Sequence, residues 1–210
     1  MIDNIEQGTE ELFTVRLGKV TASRVADVMA KTQSGYAASR NNYMTQLVLE
    51  IVTGKKTESF TSKSMEWGTT QEPFARSEYE AREGVLVEEV GFVPHPTIER
   101  AGASPDGLVG LTGLVEIKCP ESATMMETIL TGKVPNKYHT QMQMQMACTG
   151  REWCDYVVYD PRFPVKAKLF VKRVVRDDKF IAVMETEIKK FLSETMEKVT
   201  QFTNYIESQP

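Results

Sequence analysis

The sequence predicts an α/β fold with a central mixed sheet flanked by helices. Three observations lead there. Apolar residues recur at helical spacing through the first third of the chain, short β-branched runs broken by glycine and proline follow, and a pair of helical stretches then precedes two further strands and a long last helix. That order lays helices against the faces of a sheet. With 210 residues, 41% of them hydrophobic, the chain fits one domain over 1–210 with a sizeable core.

The elements follow in order. Thr21 or Ser23 is placed to cap a short helix carrying Val25, Val28 and Met29. The 39–52 segment repeats Tyr43, Met44, Leu47, Val48, Ile51 and Val52 at helical spacing and stops at Gly54. A third helix, over 64–82, contains Gly68 and Pro73. Proline there removes a backbone hydrogen bond and crowds the preceding turn, so a kink or break is expected beside Glu72. Strands are expected at 85–87, 90–93, 98–101 and 114–118, mostly antiparallel and punctuated by Pro94, Pro96, Gly107, Gly110 and Gly113. Helices over 122–130 and 137–148 end at Gly132 and Gly150, strands over 153–159 and 165–175 follow, and a helix over 178–206 closes the chain. The stretches 31–39 and 55–64 read as connections between elements.

Composition excludes several classes. No apolar run approaches the ~18 residues of a membrane span, and residues 1–6 lack the basic and apolar regions of a signal peptide, so a cytosolic protein is expected. Cys119, Cys148 and Cys154 are odd in number and lack paired metal-ligand spacing, which predicts reduced, buried thiols and no iron–sulfur cluster. A net charge of −4 argues against a protein that coats DNA nonspecifically; any nucleic-acid site must be local or metal-assisted.

Ala103-Ser104-Pro105-Asp106-Gly107, followed by Leu114-Val115-Glu116-Ile117-Lys118, is where chemistry concentrates. On a strand side chains alternate faces, so Glu116 and Lys118 share one side while Ile117 turns inward and offers only its carbonyl. Asp106 and Glu116 are hard oxygen ligands of the kind Mg²⁺ prefers, the ion keeping waters of which one can attack phosphorus, and Lys118 is placed to hold or deprotonate that water. The plain alternative is a turn and strand bearing solvated charges. Against it, one acid and one lysine interrupt an otherwise apolar run, and charges are rarely buried without pairing or coordinating something.

Six motifs in order carry a resemblance: Arg16-Leu17-Gly18-Lys19-Val20-Thr21-Ala22-Ser23, Glu66-Trp67-Gly68-Thr69-Thr70-Gln71-Glu72, Ser104-Pro105-Asp106-Gly107, Glu116-Ile117-Lys118-Cys119-Pro120, Tyr138-His139-Thr140-Gln141-Met142-Gln143 and Tyr159-Asp160-Pro161-Arg162. From about Arg16 to the final helix the chain resembles the phage lambda exonuclease family of YqaJ-like viral recombinases, or alkaline exonucleases. The resemblance implies a restriction-endonuclease-like PD-(D/E)-x-K fold and a single exonuclease domain. It implies a processive, Mg²⁺-dependent 5′-to-3′ exonuclease that degrades one strand of linear duplex DNA to mononucleotides and leaves 3′ tails for recombination by strand annealing. Mn²⁺ is expected to substitute, with two ions per active site.

By the same resemblance Asp106, Glu116 and the Ile117 carbonyl bind metal, Lys118 positions the attacking water, Glu72 is an additional acid on the preceding helix, and Gln143 orients Lys118 or the water. Arg16 and Ser23 hold the terminal 5′-phosphate, and Met65 is a wedge at the duplex junction. A homotrimeric ring around DNA, a phage-type single-strand annealing partner and a phage or prophage origin within a bacterial cytoplasm complete the expectation. Gln33, with Lys31 nearby, stands where the family has a basic residue of the phosphate pocket, and Pro96 stands where it has an acidic one; these are the two departures from the family pattern. Gln141 and Gln145 are expected to pack structurally, with no DNA or metal role for Trp67, Trp153, His95 or His139. The alternatives from other classes are an endonuclease of the same fold, which would cut closed circles, and a noncatalytic DNA-end adaptor.

Overall fold

The computed structural model describes residues 10–57 and 62–210. The reading of residues 1–6 and the 58–61 part of the expected connection lie outside them. Helix α1 (Glu10–Arg16) leads into a short strand β1 (Val20–Thr21), a 3₁₀ turn (Ala22–Arg24) and α2 (Val25–Met29). A small hairpin, β2 (Lys31–Thr32) and β3 (Gly35–Tyr36), precedes α3 (Ala38–Thr53) and α4 (Lys63–Glu83). Then come β4 (Val87–Glu88), β5 (Val93–Pro94), β6 (Ala101–Ala103), β7 (Gly107–Val109) and β8 (Gly113–Lys118). Helices α5 (Ser122–Thr131) and α6 (Asn136–Thr149), strands β9 (Trp153–Tyr159) and β10 (Leu169–Val175), and α7 (Asp178–Glu207) finish the chain.

The main sheet has the order β10-β9-β8-β7-β4, with β8 and β9 parallel and its other pairs antiparallel. A second sheet, β1-β6-β5, pairs β1 with β6 in parallel and β5 with β6 antiparallel. Strand alternation divides the core. Leu114, Cys154, Tyr156 and Val158 face the larger cluster built with α2, α3, α6 and α7, whereas Val115, Ile117, Val157 and Tyr159 face Ala75 and Tyr79 of α4. Glu116, between Val115 and Ile117, therefore points into the α6 side.

Several expectations shift. Helix α4 runs unbroken through Pro73. The carbonyl that proline leaves without a helical partner belongs to Thr69, which is exposed, so the lost bond lies where solvent reaches it. Neither Thr21 nor Ser23 makes a side-chain cap: Ser23 sits inside the 3₁₀ turn, and Arg24 is the residue before α2. The strands expected at 90–93 and 98–101 are displaced to β5 and β6, because pairing and not composition sets their limits. The last strand starts at Leu169 because 165–167 form a turn. Gly102 in β6 is required by close approach: a Cβ there would sit 2.2 Å from the Phe92 ring.

Candidate active site

Strands β7 and β8 form a hairpin whose register pairs Gly107 with Val115, so Asp106, one residue before β7, is brought beside the end of β8. Its Oδ2 accepts a hydrogen bond from the Ile117 amide at 2.7 Å. That contact ties the Pro-Asp-Gly turn to the Glu-x-Lys strand and aims Asp106 at the same place as Glu116 and Lys118. Lys118 Nζ lies 3.8 Å from Asp106 Oδ2 and makes a closer ion pair with Glu116 Oε1.

Glu116 is wholly buried, a position a carboxylate tolerates only when its oxygens are satisfied. Helix α6 satisfies them. Gln141 Nε2 donates to Oε1 at 2.6 Å and Gln145 Nε2 donates to Oε2 at 2.5 Å, the two glutamines standing one helical turn apart. Burial and then the Asp106 charge push the Glu116 carboxyl up to about 7, against the pull of Lys118 and Gln145. Burial alone would lower the Lys118 ammonium, but Glu116 and Asp106 beside it hold it above the ordinary lysine range.

Glu72 of α4 reaches the same centre from the other face. Burial, followed by Asp106, raises its carboxyl, while Arg76, one turn on, donates to its Oε1 at 3.1 Å and opposes the rise. Glu72 and Lys118 line a cavity of about 540 Å³ with Met65, Cys119, Lys137 and Tyr138. Burial pushes the Cys119 thiol up to about 12, so it stays protonated there. Met65 is 54% exposed and also lines a second cavity of about 440 Å³, bordered by Arg16, Lys19, Arg24 and Lys56.

A third cavity, of about 240 Å³, joins Arg16, Ser23, Ser104, Asp106 and Gln141. Arg16, at the end of α1, makes no ion pair or side-chain hydrogen bond among the described residues, and the Ser104 hydroxyl is buried without a partner. Burial lowers the Arg16 guanidinium while Tyr43 and Glu50 nearby favour its charge. Spacing alone does not single out Ser104 as a wall of this cavity; its place before Pro105-Asp106 is the one local signal. Gln33 is at the exposed tip of the β2–β3 hairpin and Pro96 lies in a bend after β5.

The glutamines that meet the carboxylates are Gln141 and Gln145, which were expected to pack structurally, and not Gln143. Gln143 is turned away from the carboxylates: its Nε2 donates to the Val175 carbonyl at 2.9 Å, and its Oε1 accepts from the Asp177 amide at 2.9 Å. Both ends of its amide are thus used to join α6 to the end of β10 and the start of α7. Helical periodicity is the cause, since positions 141 and 145 share a face that 143 does not. Trp67 and Trp153 pack against the smaller core cluster, with Arg162 and Arg173 over their rings at 4.6 and 3.6 Å.

No group of three His, Cys, Asp or Glu side chains is gathered for a metal among the described residues. The groups that could hold a metal here are the Asp106 and Glu116 carboxylates, brought together around Lys118, with the Ile117 carbonyl; these are hard oxygens of the kind Mg²⁺ takes while keeping much of its water. No helix of the described residues is long and apolar enough to cross a membrane, and all three cysteines are free and buried.

With this geometry in hand, comparisons place the chain among known proteins. It is similar to the crystal structure of an alkaline exonuclease, LHK-Exo, from Laribacter hongkongensis, at 51% identity and a TM-score of 0.89, covering 95% of this chain and 98% of that one. It is equally similar to LHK-Exo in complex with dAMP, at 51% identity, a TM-score of 0.90 and the same coverage. A phage-related exonuclease from Haemophilus somnus 129PT shares the fold at 13% identity, with a TM-score of 0.64 over 90% of this chain and 96% of that one. No curated protein matches the chain. The fold is of the PD-(D/E)-x-K nuclease type. The model of the YqaJ-like viral recombinase domain matches residues 11–152, and to that family this chain belongs.

Proposed function

We propose that the protein is a Mg²⁺-dependent, processive 5′-to-3′ exonuclease that degrades one strand of linear double-stranded DNA to mononucleotides and leaves 3′ single-stranded tails for recombination by strand annealing. The observation that carries this reading is the convergence of Asp106, Glu116 and Lys118 on one point, enforced by the Asp106 Oδ2 to Ile117 N bond. The family and the exonuclease activity named for the similar LHK-Exo support it, and the dAMP held by one of those structures is a mononucleotide, the expected class of product.

Asp106, Glu116 and the Ile117 carbonyl would hold the metal, and Mn²⁺ would serve in place of Mg²⁺, with two ions at each site. Bound there, the metal supplies Lewis-acid activation of water and neutralisation of charge on the phosphate. Lys118 donates to the nucleophile and to charge developing in the transition state. Glu72 adds a carboxylate across the catalytic cavity. Arg16, Ser23 and Ser104 hold the 5′-phosphate through a guanidinium fork and two hydroxyls, which fixes the strand in register with the scissile bond. Met65, exposed between the two larger cavities, is in position to part the terminal base pairs. The working form is a homotrimeric ring in the bacterial cytoplasm, of phage or prophage origin, that hands its 3′-tailed product to a phage-type annealing protein.

The test uses linear duplex labelled at the 5′ end and, separately, at the 3′ end. With Mg²⁺ the 5′ label is released early as a mononucleotide, the 3′-labelled strand persists, and closed circular plasmid is untouched. Release from both labels at equal rates, or cutting of the closed circle, would overturn the reading, as would undiminished release in excess EDTA.

A further inference from the structure

We infer that Gln145 is a positioning residue for Glu116, an inference that rests on the metal-site reading: the Gln145 amide fixes which carboxylate oxygen faces the site, and the Cys154 thiol backs that amide. Gln145 and Cys154 are both without solvent exposure, as is Glu116, so water does not compete for their hydrogen bonds. Cys154 Sγ lies 3.9 Å from Gln145 Oε1 and is the donor of that pair. A thiol is a weak donor to an amide oxygen. The Glu116 carboxylate only accepts, so it turns the Gln145 nitrogen toward β8 and leaves the amide oxygen facing Cys154 on β9, where the thiol, which also has the Asp155 carbonyl within 4.0 Å, backs it.

The consequence falls on Glu116. Its Oε2 is held by Gln145 at 2.5 Å on the interior side, while Oε1 is the oxygen shared by Gln141 and Lys118, beside Asp106. Helix α6 thus supplies one donor to each oxygen. Gln141 borders the cavity that contains Asp106, whereas Gln145 sits entirely behind the carboxylate and touches no cavity described for the site. Without Gln145 the inner oxygen would be buried and unpaired, a state that favours rotation or protonation of the carboxylate over coordination. Groups that hold a metal ligand from behind in this way contribute strongly to metal affinity, their removal costing roughly 10- to 100-fold.

The experiment is a calorimetric titration of DNA-free protein with Mn²⁺ alone, on the wild type and on Asp106→Asn, Gln145→Met and Cys154→Ala. Methionine matches the length of glutamine and removes the donor. Gln145→Met is expected to weaken Mn²⁺ binding roughly 10- to 100-fold, and to raise the Mn²⁺ concentration for half-maximal nuclease activity by the same factor. Cys154→Ala should weaken binding in the same direction by a smaller factor. The rise in Tm that Mn²⁺ produces should shrink in both, which a merely structural role would not cause. A folded Gln145→Met protein that binds Mn²⁺ within twofold of wild type overturns the inference; if that variant does not fold, a Cys154→Ala isotherm identical to wild type overturns it. Wild-type protein that binds Mn²⁺ no better than Asp106→Asn would sink the metal reading itself, a separate result.

Discussion

Arg16→Ala should selectively slow degradation of 5′-phosphorylated ends. Arg16 borders the cavity that also holds Asp106, with the Ser23 hydroxyl and the partnerless Ser104 hydroxyl on its wall. A guanidinium without an ion pair among the described residues has its charge available to a ligand, and Glu50, whose charge acts on it, is already occupied by the Gly18 amide at 3.0 Å and by Gln46 at 2.8 Å. A charge-assisted hydrogen bond contributes about 1.5–3 kcal/mol. At about 1.4 kcal/mol for each factor of ten, removing one such contact predicts a loss of roughly 10- to 100-fold in kcat/KM on 5′-phosphate ends. A 5′-hydroxyl end never made the contact, so its slower rate should change little, and the preference should contract by the same factor. The assay is initial-rate release from duplexes that differ only in their 5′ end, run on wild type, Arg16→Ala and Ser104→Ala; the serine variant should lose a smaller share of the preference. Equal rates on the two ends for the wild type would refute the phosphate pocket, and an Arg16→Ala protein that slows equally on both ends would show that Arg16 serves something other than the phosphate.

Lys118→Ala should keep Mn²⁺ and DNA binding but lose turnover by roughly 10²- to 10³-fold, whereas Asp106→Asn should lose both Mn²⁺ binding and activity; a Lys118→Ala preparation with wild-type turnover would refute the first assignment. Acid stability should depend on His95, whose Nδ1 accepts from the Thr97 and Ile98 amides at 3.2 Å, and whose burial lowers its pKa below 6.5 against the opposing charge of Glu185. The native state resists the proton that the unfolded chain accepts, so stability is full above pH 6.5 and is lost as pH falls through the lowered value. In His95→Asn, where Oδ1 replaces the Nδ1 acceptor, the decline in Tm on acidification should flatten, and an unchanged slope would dismiss the histidine. Light scattering should report a particle near three times the 23.7 kDa chain, and a monomer at micromolar concentration would defeat the ring.

The part of the site that was legible in the sequence is the part built from strand alternation and a turn. Asp106, Glu116 and Lys118 lie within a hairpin, where register follows directly from chain position, and one hydrogen bond to the Ile117 amide closes the arrangement. The glutamines were not legible because α6 carries no amphipathic signal. Thr140 and every residue from Met142 to Cys148 are buried, so methionine and glutamine alternate on a helix whose faces are nearly all interior. Periodicity states which residues share a face, and cannot state which face meets β8. Helix α1 escaped for a related reason: in seven residues it buries only Leu12, too little for a pattern. The two-residue strands β1, β4 and β5 exist through their pairing partners, and nothing local marks their limits.

An acidic protein proposed to act on a polyanion poses a physical question that the placement of charge answers. Screening limits the reach of an exposed charge to about 8–10 Å at physiological ionic strength, so a phosphate responds to its neighbours and not to the net −4 of the chain. Arg16, Lys19, Arg24 and Lys56 border one cavity and Lys118 and Lys137 the next, with Met65 common to both. Two of these cations are already engaged, Arg24 by Asp27 at 2.7 Å and Lys118 by Glu116. Among the described residues Arg16, Lys19, Lys56 and Lys137 have no ion pair, though Lys19, Lys56 and Lys137 lie over aromatic rings, a contact that leaves their charge exposed to a ligand. These cations line both cavities beside the carboxylates, and their attraction acts locally. On the proposed reading a strand end meets this local charge, so binding at a phosphorylated end should exceed adhesion to internal duplex, and competition with closed circular plasmid, which should barely slow digestion of linear DNA, checks it.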